Sequence, residues 1–257
     1  MNNEEMIRDS LENVMDGRAE DAIQRLESAI KGDGSSFSVK NNLACLYFNT
    51  GKFCRAAELL GELAEEAPEN SDVLNNYGYV LMQNGDLEDA RECLERAREI
   101  NPDDIDIVIN LGLLHNYFGN TDRAVEMFQE AIRMDGDVIE AHNNLGCLYR
   151  KKDMLEEAKA EFEKAVVLRE DDAEARNNLG CVLRAMGDYA SAVAQLEKAF
   201  ELDENDDIVC YNLGVCCMLD QRKSAALKWF RLHLEMNPES EYEEKVKEWI
   251  ERLQNTE

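Results

Sequence analysis

Positive charge is scarce in this sequence: 28 lysines and arginines face 55 aspartates and glutamates, a formal net charge of −27. A surface of that sign repels phosphate backbones and anionic lipid headgroups, which excludes nucleic acid and acidic membranes as partners. Proline occurs only three times in 257 residues, so little in the chain breaks a helix. Long apolar runs are missing as well, and no stretch approaches the roughly 18 residues of a membrane span. The start, Met1-Asn2-Asn3-Glu4-Glu5, is acidic, which predicts no secretory leader and a cytoplasmic location. Histidine appears three times, at His115, His142 and His233, and no C-x-x-C pair exists. The roughly four converging ligands of a zinc site are therefore not supplied. Phosphate loops, G-x-S-x-G and H-E-x-x-H are absent too. We expect a non-enzymatic chain without a cofactor. Eight cysteines remain; in a chain of this size they read as reduced thiols.

What the sequence has in abundance is self-similarity. Asn42-Leu43-Ala44, Asn76-Tyr77-Gly78, Asn110-Leu111-Gly112, Asn144-Leu145-Gly146, Asn178-Leu179-Gly180 and Asn212-Leu213-Gly214 recur every 34 residues. A fixed period of that length means stacked supersecondary units rather than one closed core. Numbered from 1 to 34, the units run 37–70, 71–104, 105–138, 139–172, 173–206 and 207–240. Position 8 is small throughout, and position 20 is alanine in all six (Ala56, Ala90, Ala124, Ala158, Ala192, Ala226). Small residues at fixed points let two helix axes approach, and large residues at positions 7 and 24, such as Leu111 and Phe128, fill the flanks. Ala97, Ala131, Ala165 and Ala199 share position 27.

Turn chemistry agrees. Gly51, Gly85, Gly119 and Gly187 hold position 15, where a first helix ends in a left-handed residue. Asp86, Asn120 and Asp188 follow, placed to N-cap the second helix. Pro68, Pro102 and Pro238 fall at position 32, between units. Near the end of the chain, Tyr242, Val246, Trp249 and Leu253 form one apolar stripe at helical spacing.

Leu at 7, Gly at 8, Ala at 20 and 27 and Pro at 32 together resemble the tetratricopeptide repeat. The resemblance implies an all-α, right-handed α-solenoid superhelix of tandem helix–turn–helix units, closed by a capping helix over 241–257. It extends backwards over 1–36 as a divergent unit: Gly17, Ala22, Leu26 and Ala29 fit, whereas Asp9 and Ser10 stand where Leu and Gly are expected. In the last unit His233 replaces Ala at position 27 and Gln221 replaces Gly at 15.

In such arrays the first helices line a concave groove, and the resemblance puts positions 2, 5, 6, 9, 12 and 13 on it. Position 6 is Asn42, Asn76, Asn110, Asn144, Asn178 and Asn212; position 5 adds Asn41, Asn75, Asn143 and Asn177. An amide carries a donor and an acceptor, so this ladder suits the backbone of an extended peptide. Local hydrogen bonding is the alternative use. Arg150 and Arg184 share position 12 and read either as a seat for a partner's anionic group or as charge complementing a helix C-terminus. Asp72, Asp106, Glu140 and Glu174 at position 2 form an acidic rail for a basic ligand, or simply first-turn acids. Cys45, Cys147 and Cys181 at position 9 read as small buried hydrophobes. The Lys, Asn and Arg clamp of chaperone-tail binders is not reproduced: Asn41, Asp106 and Asn110 stand in its frame. The reading is a non-catalytic protein–protein interaction scaffold that takes a peptide, by charge a basic one, in its groove. Homo-oligomer formation and service as a regulatory subunit of an enzyme complex are the alternatives.

Overall fold

Every complete hairpin turns on a left-handed residue. In the computed structural model, which describes residues 19–31 and 37–255, φ is 73° at Gly51, 89° at Gly85, 75° at Gly119 and 83° at Gly187. At Gly85 the backbone N–H closes the helix onto the carbonyls of Leu81 and Met82, a conformation that a Cβ disfavours. Asp153 and Gln221 take the same step at φ 60°.

Fourteen helices lie among the described residues, with no strand. Unit 1 ends at Met134 and contains α1 (Ala19–Lys31), α2 (Phe37–Asn49), α3 (Phe53–Glu66), α4 (Ser71–Asn84), α5 (Leu87–Ile100), α6 (Ile105–Tyr117) and α7 (Thr121–Met134). Unit 2 begins at Asp135 and contains α8 (Ile139–Lys151), α9 (Leu155–Leu168), α10 (Ala173–Ala185), α11 (Tyr189–Leu202), α12 (Asp207–Leu219), α13 (Lys223–Met236) and α14 (Glu243–Asn255). From α2 onward, each even-numbered helix packs on the next odd-numbered one as a hairpin, up to α12 with α13.

The position-8 glycines explain how closely those helices pack. A Cβ built on Gly78, Gly112, Gly146 or Gly180 would lie 2.6, 2.9, 2.8 or 2.6 Å from Leu94, Phe128, Phe162 or Leu196. One on Gly214 would come closer still to Phe230. The large side chain at position 24 thus sits over position 8 itself, rather than beside it as expected from sequence. All six position-20 alanines are fully buried.

Capping differs from expectation. Asp188 does cap α11, accepting from Ser191 N at 3.1 Å. Asp86 makes no side-chain cap bond, and Asn120 contributes its backbone carbonyl to Ala124 N. The side-chain caps belong mainly to the first helices, at position 34. Asn70 accepts from Val73 N (3.1 Å), Asp172 from Ala175 N (2.8 Å), and Asp104 and Asp206 each from two N–H groups. Such caps satisfy orphan donors at a helix start and are worth about 1 kcal/mol each. Val138, at the same place before α8, has none.

At the C-terminal end of unit 2, α14 lays its stripe on the last hairpin. Val246 is fully buried, the Tyr242 ring stacks on Tyr211 at 4.2 Å, and Trp249 lies 5.4 Å from Phe230. This is the expected capping helix. In unit 1, α1 buries Ala22 and Leu26 against α2. Asp9, Ser10 and Gly17 lie outside the described residues.

Candidate protein-binding face

Within each unit the first helices of successive hairpins touch one another: α4 meets α6, and α10 meets both α8 and α12. Second helices of successive hairpins do not approach as closely. The first helices therefore line the inner side of each unit, and positions 5 and 6 lie along it.

The asparagines there fall into three groups by the bonds they make. Asn110 donates to Asn75 Oδ1 at 2.8 Å, and Asn212 to Asn177 Oδ1 at 2.9 Å. Position 6 of one repeat thus reaches position 5 of the repeat before it. Asn42 and Asn144 have Ile7 and Ile109 at that upstream position in sequence. Each instead turns back on its own helix, to Ser38 O (2.8 Å) and Glu140 O (2.9 Å). For the remaining two, Asn76 and Asn178, the upstream residues are Asn41 and Asn143. The side-chain oxygens of Asn41 and Asn143 are buried without a hydrogen-bond partner. Asn178 is itself buried and Asn76 half-buried.

Between α8 and α10 a cavity of about 400 Å³ opens. Asn143, Asn144 and Cys147 line it together with Glu140, Glu174 and the paired Arg169 and Asp172. Glu140 and Glu174 are exposed, as are Asp72 and Asp106 at the same position in unit 1.

Arg150 and Arg184 hold the same position on the packed helices α8 and α10. Burial raises the pKa of the Cys181 thiol against the opposing positive charges of Arg184 and Arg150. Arg184 also donates to Asn212 Oδ1 at 3.1 Å. A relay of Arg184, Asn212 and Asn177 thus joins α10 to α12. Cys45 and Cys147 are likewise pushed up by burial. Cys216, fully buried, is driven to about 12 by desolvation. Such thiols are poor nucleophiles, which leaves them as small packing groups.

Two of the three histidines serve the scaffold. His142 bridges Glu161 (2.6 Å) and Gly136 O (3.0 Å). His233, fully buried, bonds Asp207 O at 2.8 Å. Two features escaped the reading of the sequence. The position-34 caps were legible as an Asn or Asp before the apolar runs of α4, α6, α10 and α12. On α12 the acidic position 2 gives way to Ile208, which opens an apolar stripe.

Comparison with known proteins agrees with this geometry. Four tetratricopeptide repeat family models match residues 51–109, 105–138, 137–205 and 177–241. No curated protein matches the sequence. Among solved structures, the APC/C hetero-tetramer Cut9-Hcn1 is similar with a TM-score of 0.79 and 16% identity. That match covers 93% of this chain and 46% of the other, so this chain spans less than half of its length. A tetratricopeptide repeat protein from Parabacteroides merdae is similar at TM-score 0.67 and 20% identity, covering 98% of both chains. YrrB, a TPR protein with an unusual peptide-binding site, is similar at 0.61 and 23%, covering 75% of this chain and 99% of its own. At these identities the likeness concerns the fold. No helix among the described residues is long and apolar enough to cross a membrane. The family matches run without a break from 51 to 241, and the chain belongs to the tetratricopeptide repeat family, whose fold is typically a non-catalytic scaffold for protein–protein interaction.

Proposed function

We propose that this protein is an adaptor that holds an extended, basic segment of a partner protein along the inner face of its repeats within a unit. One observation carries the reading: Asn143 borders the cavity between α8 and α10 with its side-chain oxygen unpaired. A buried acceptor without a donor costs about 1–3 kcal/mol. Turning that amide into the cavity gives up no hydrogen bond and gains one from a partner's backbone N–H. Asn41 has the same unpaired oxygen in unit 1. Glu140 and Glu174 at the rim, and the net charge of −27, draw a basic segment toward the face. Affinity accumulates from many such contacts rather than one deep pocket. The eight cysteines are all free, which supports a reducing, cytoplasmic setting.

The test is panning of a displayed library of random linear peptides against the full chain, followed by titration of the enriched peptides. Basic peptides are expected, with binding that weakens as salt rises. Asn143→Ala with Asn144→Ala is expected to weaken them about tenfold while far-UV circular dichroism stays unchanged. Equal binding by the double variant, or no enrichment at all, overturns the reading.

A further inference from the structure

The inner face of unit 2 changes character between α10 and α12. Where α8 and α10 carry Glu140 and Glu174, α12 carries Ile208. Where they carry Cys147 and Cys181, it carries Val215. Where they carry Arg150 and Arg184, it carries Met218. With Tyr211 and Leu219 these residues fall at i, i+3, i+7, i+10 and i+11, which is one stripe along the helix. The capping helix α14 packs on α13 and reaches Tyr211. It leaves Ile208 39% and Leu219 42% exposed at the two ends of the stripe.

Beside this stripe stand two unneutralised cations. Arg184 reaches Asn212 on the adjoining turn of α12, and Arg150 holds the same position on α8, the helix packed beside α10. Neither arginine pairs with a carboxylate among the described residues, although acids outnumber bases two to one in the chain. Elsewhere Arg91, Arg96, Arg98, Arg123 and Arg169 have acidic partners. Guanidinium groups left unpaired beside exposed aliphatic side chains match an occupant that supplies both missing chemistries.

We infer that the inner face of unit 2 takes a partner segment presenting a carboxylate side chain to Arg150 and Arg184 and a large aliphatic side chain to the Ile208–Leu219 stripe of α12. This rests on the reading that the inner face binds an extended segment, and it adds what that segment must contain. Packed helices lie about 8–10 Å apart, and an extended chain advances about 3.3 Å per residue. The acidic and aliphatic residues are therefore about three positions apart. A guanidinium pair grips a carboxylate through charge-assisted hydrogen bonds. The acidic surface elsewhere repels further negative charge, so the flanks of the segment are basic and the anchor is a single acid.

The probe is a fluorescent, lysine-flanked peptide with glutamate three residues ahead of leucine, titrated into the full chain by anisotropy. Replacing its glutamate with glutamine is expected to weaken binding about tenfold. Arg150→Gln with Arg184→Gln is expected to bring the glutamate peptide down to that level and leave the glutamine peptide unchanged. Ile208→Ser with Leu219→Ser, both at exposed sites, weakens both peptides. Equal affinity for the two peptides in the wild type overturns the inference while leaving the inner-face reading intact. Loss of every peptide with Asn143→Ala and Asn144→Ala, but none with the arginine variants, does the same. No binding of the glutamate peptide, or binding only when phosphoserine replaces glutamate, also overturns it. So does a concentration-dependent dimer in sedimentation that Leu219→Ser dissolves, since a second copy then covers the stripe.

Discussion

In unit 1 the turns after α2, α4 and α6 are all made by glycine, at φ between 73° and 89°. In unit 2 the turns after α8 and α12 are made by Asp153 and Gln221 at φ 60°, and only the turn after α10 uses Gly187. The same division appears elsewhere. Arg91, Arg96, Arg98 and Arg123 of unit 1 have acidic partners, while Arg150 and Arg184 of unit 2 pair with no carboxylate among the described residues. Unit 2 buries Cys210, Cys216 and Cys217 completely and half-buries Cys147 and Cys181; in unit 1 Cys45 and Cys93 are half-buried and Cys54 is exposed. What the units share is confined to contacts inside a hairpin: a small residue at position 8 under a large one at 24, and buried alanine at 20. Close packing penalises any change there, whereas turns and inward faces drift because solvent or a partner absorbs the difference.

The largest expected effect tests that shared contact. Gly214→Ala would push a methyl into Phe230 and is expected to cost about 1–3 kcal/mol by overpacking. The corresponding position of unit 1 already holds Ala44, fully buried. Urea denaturation followed by circular dichroism measures both Gly214→Ala and Ala44→Gly. A neutral Gly214→Ala would show that position 8 is not the tight point of the hairpin.

A smaller effect, of opposite sign in the two units, concerns the turns. Gln221→Gly relieves a left-handed side chain and is expected to stabilise by about 1 kcal/mol. Gly85→Ala imposes that strain in unit 1 and is expected to destabilise by a similar amount. Thermal melting compares them, and shifts of the same sign would sink the argument from backbone strain.

The smallest effect is alkaline. Burial raises the thiols of Cys93 and Cys210 to about 11 and of Cys216 to about 12, from an ordinary 9.0. Groups kept neutral in the folded state contribute stability that is complete below 9. That contribution is lost as pH climbs toward 11–12, because the unfolded chain ionises first. The urea midpoint should fall from about pH 8 to about pH 10. Alkylation of the native chain should modify Cys54 and spare Cys210, Cys216 and Cys217. Rapid native labelling of Cys216 would contradict its burial.

Much of the hairpin was legible because its determinants are local or recur at a fixed period. Glycine at position 15, proline at 32 and alanine at 20 each act through backbone freedom, a missing N–H or a missing side chain. The capping stripe of Tyr242, Val246, Trp249 and Leu253 was legible for the same reason, since helical spacing alone sets its face. Caps were misjudged at Asp86 because an Asp beside a helix start satisfies the pattern whether or not its rotamer reaches the N–H. The candidate site was legible only as a row of asparagines. Residue type alone does not say which amide bonds across repeats, as Asn110 does to Asn75: Asn76 and Asn178 also follow an asparagine at the same distance, and the oxygens of Asn41 and Asn143 stay unpaired.

The sequence by itself determined the period, the hairpin and the small residues that let its helices close, because those follow from chain stereochemistry and repetition. The tertiary structure alone decided which amides are consumed by one another and which oxygens stay unpaired. It also decided that Arg184 spends a hydrogen bond on Asn212 of the next repeat. Hydrogen bonds and charge pairs between helices depend on distances of a few tenths of an ångström across the packed layer, and no linear pattern carries that information.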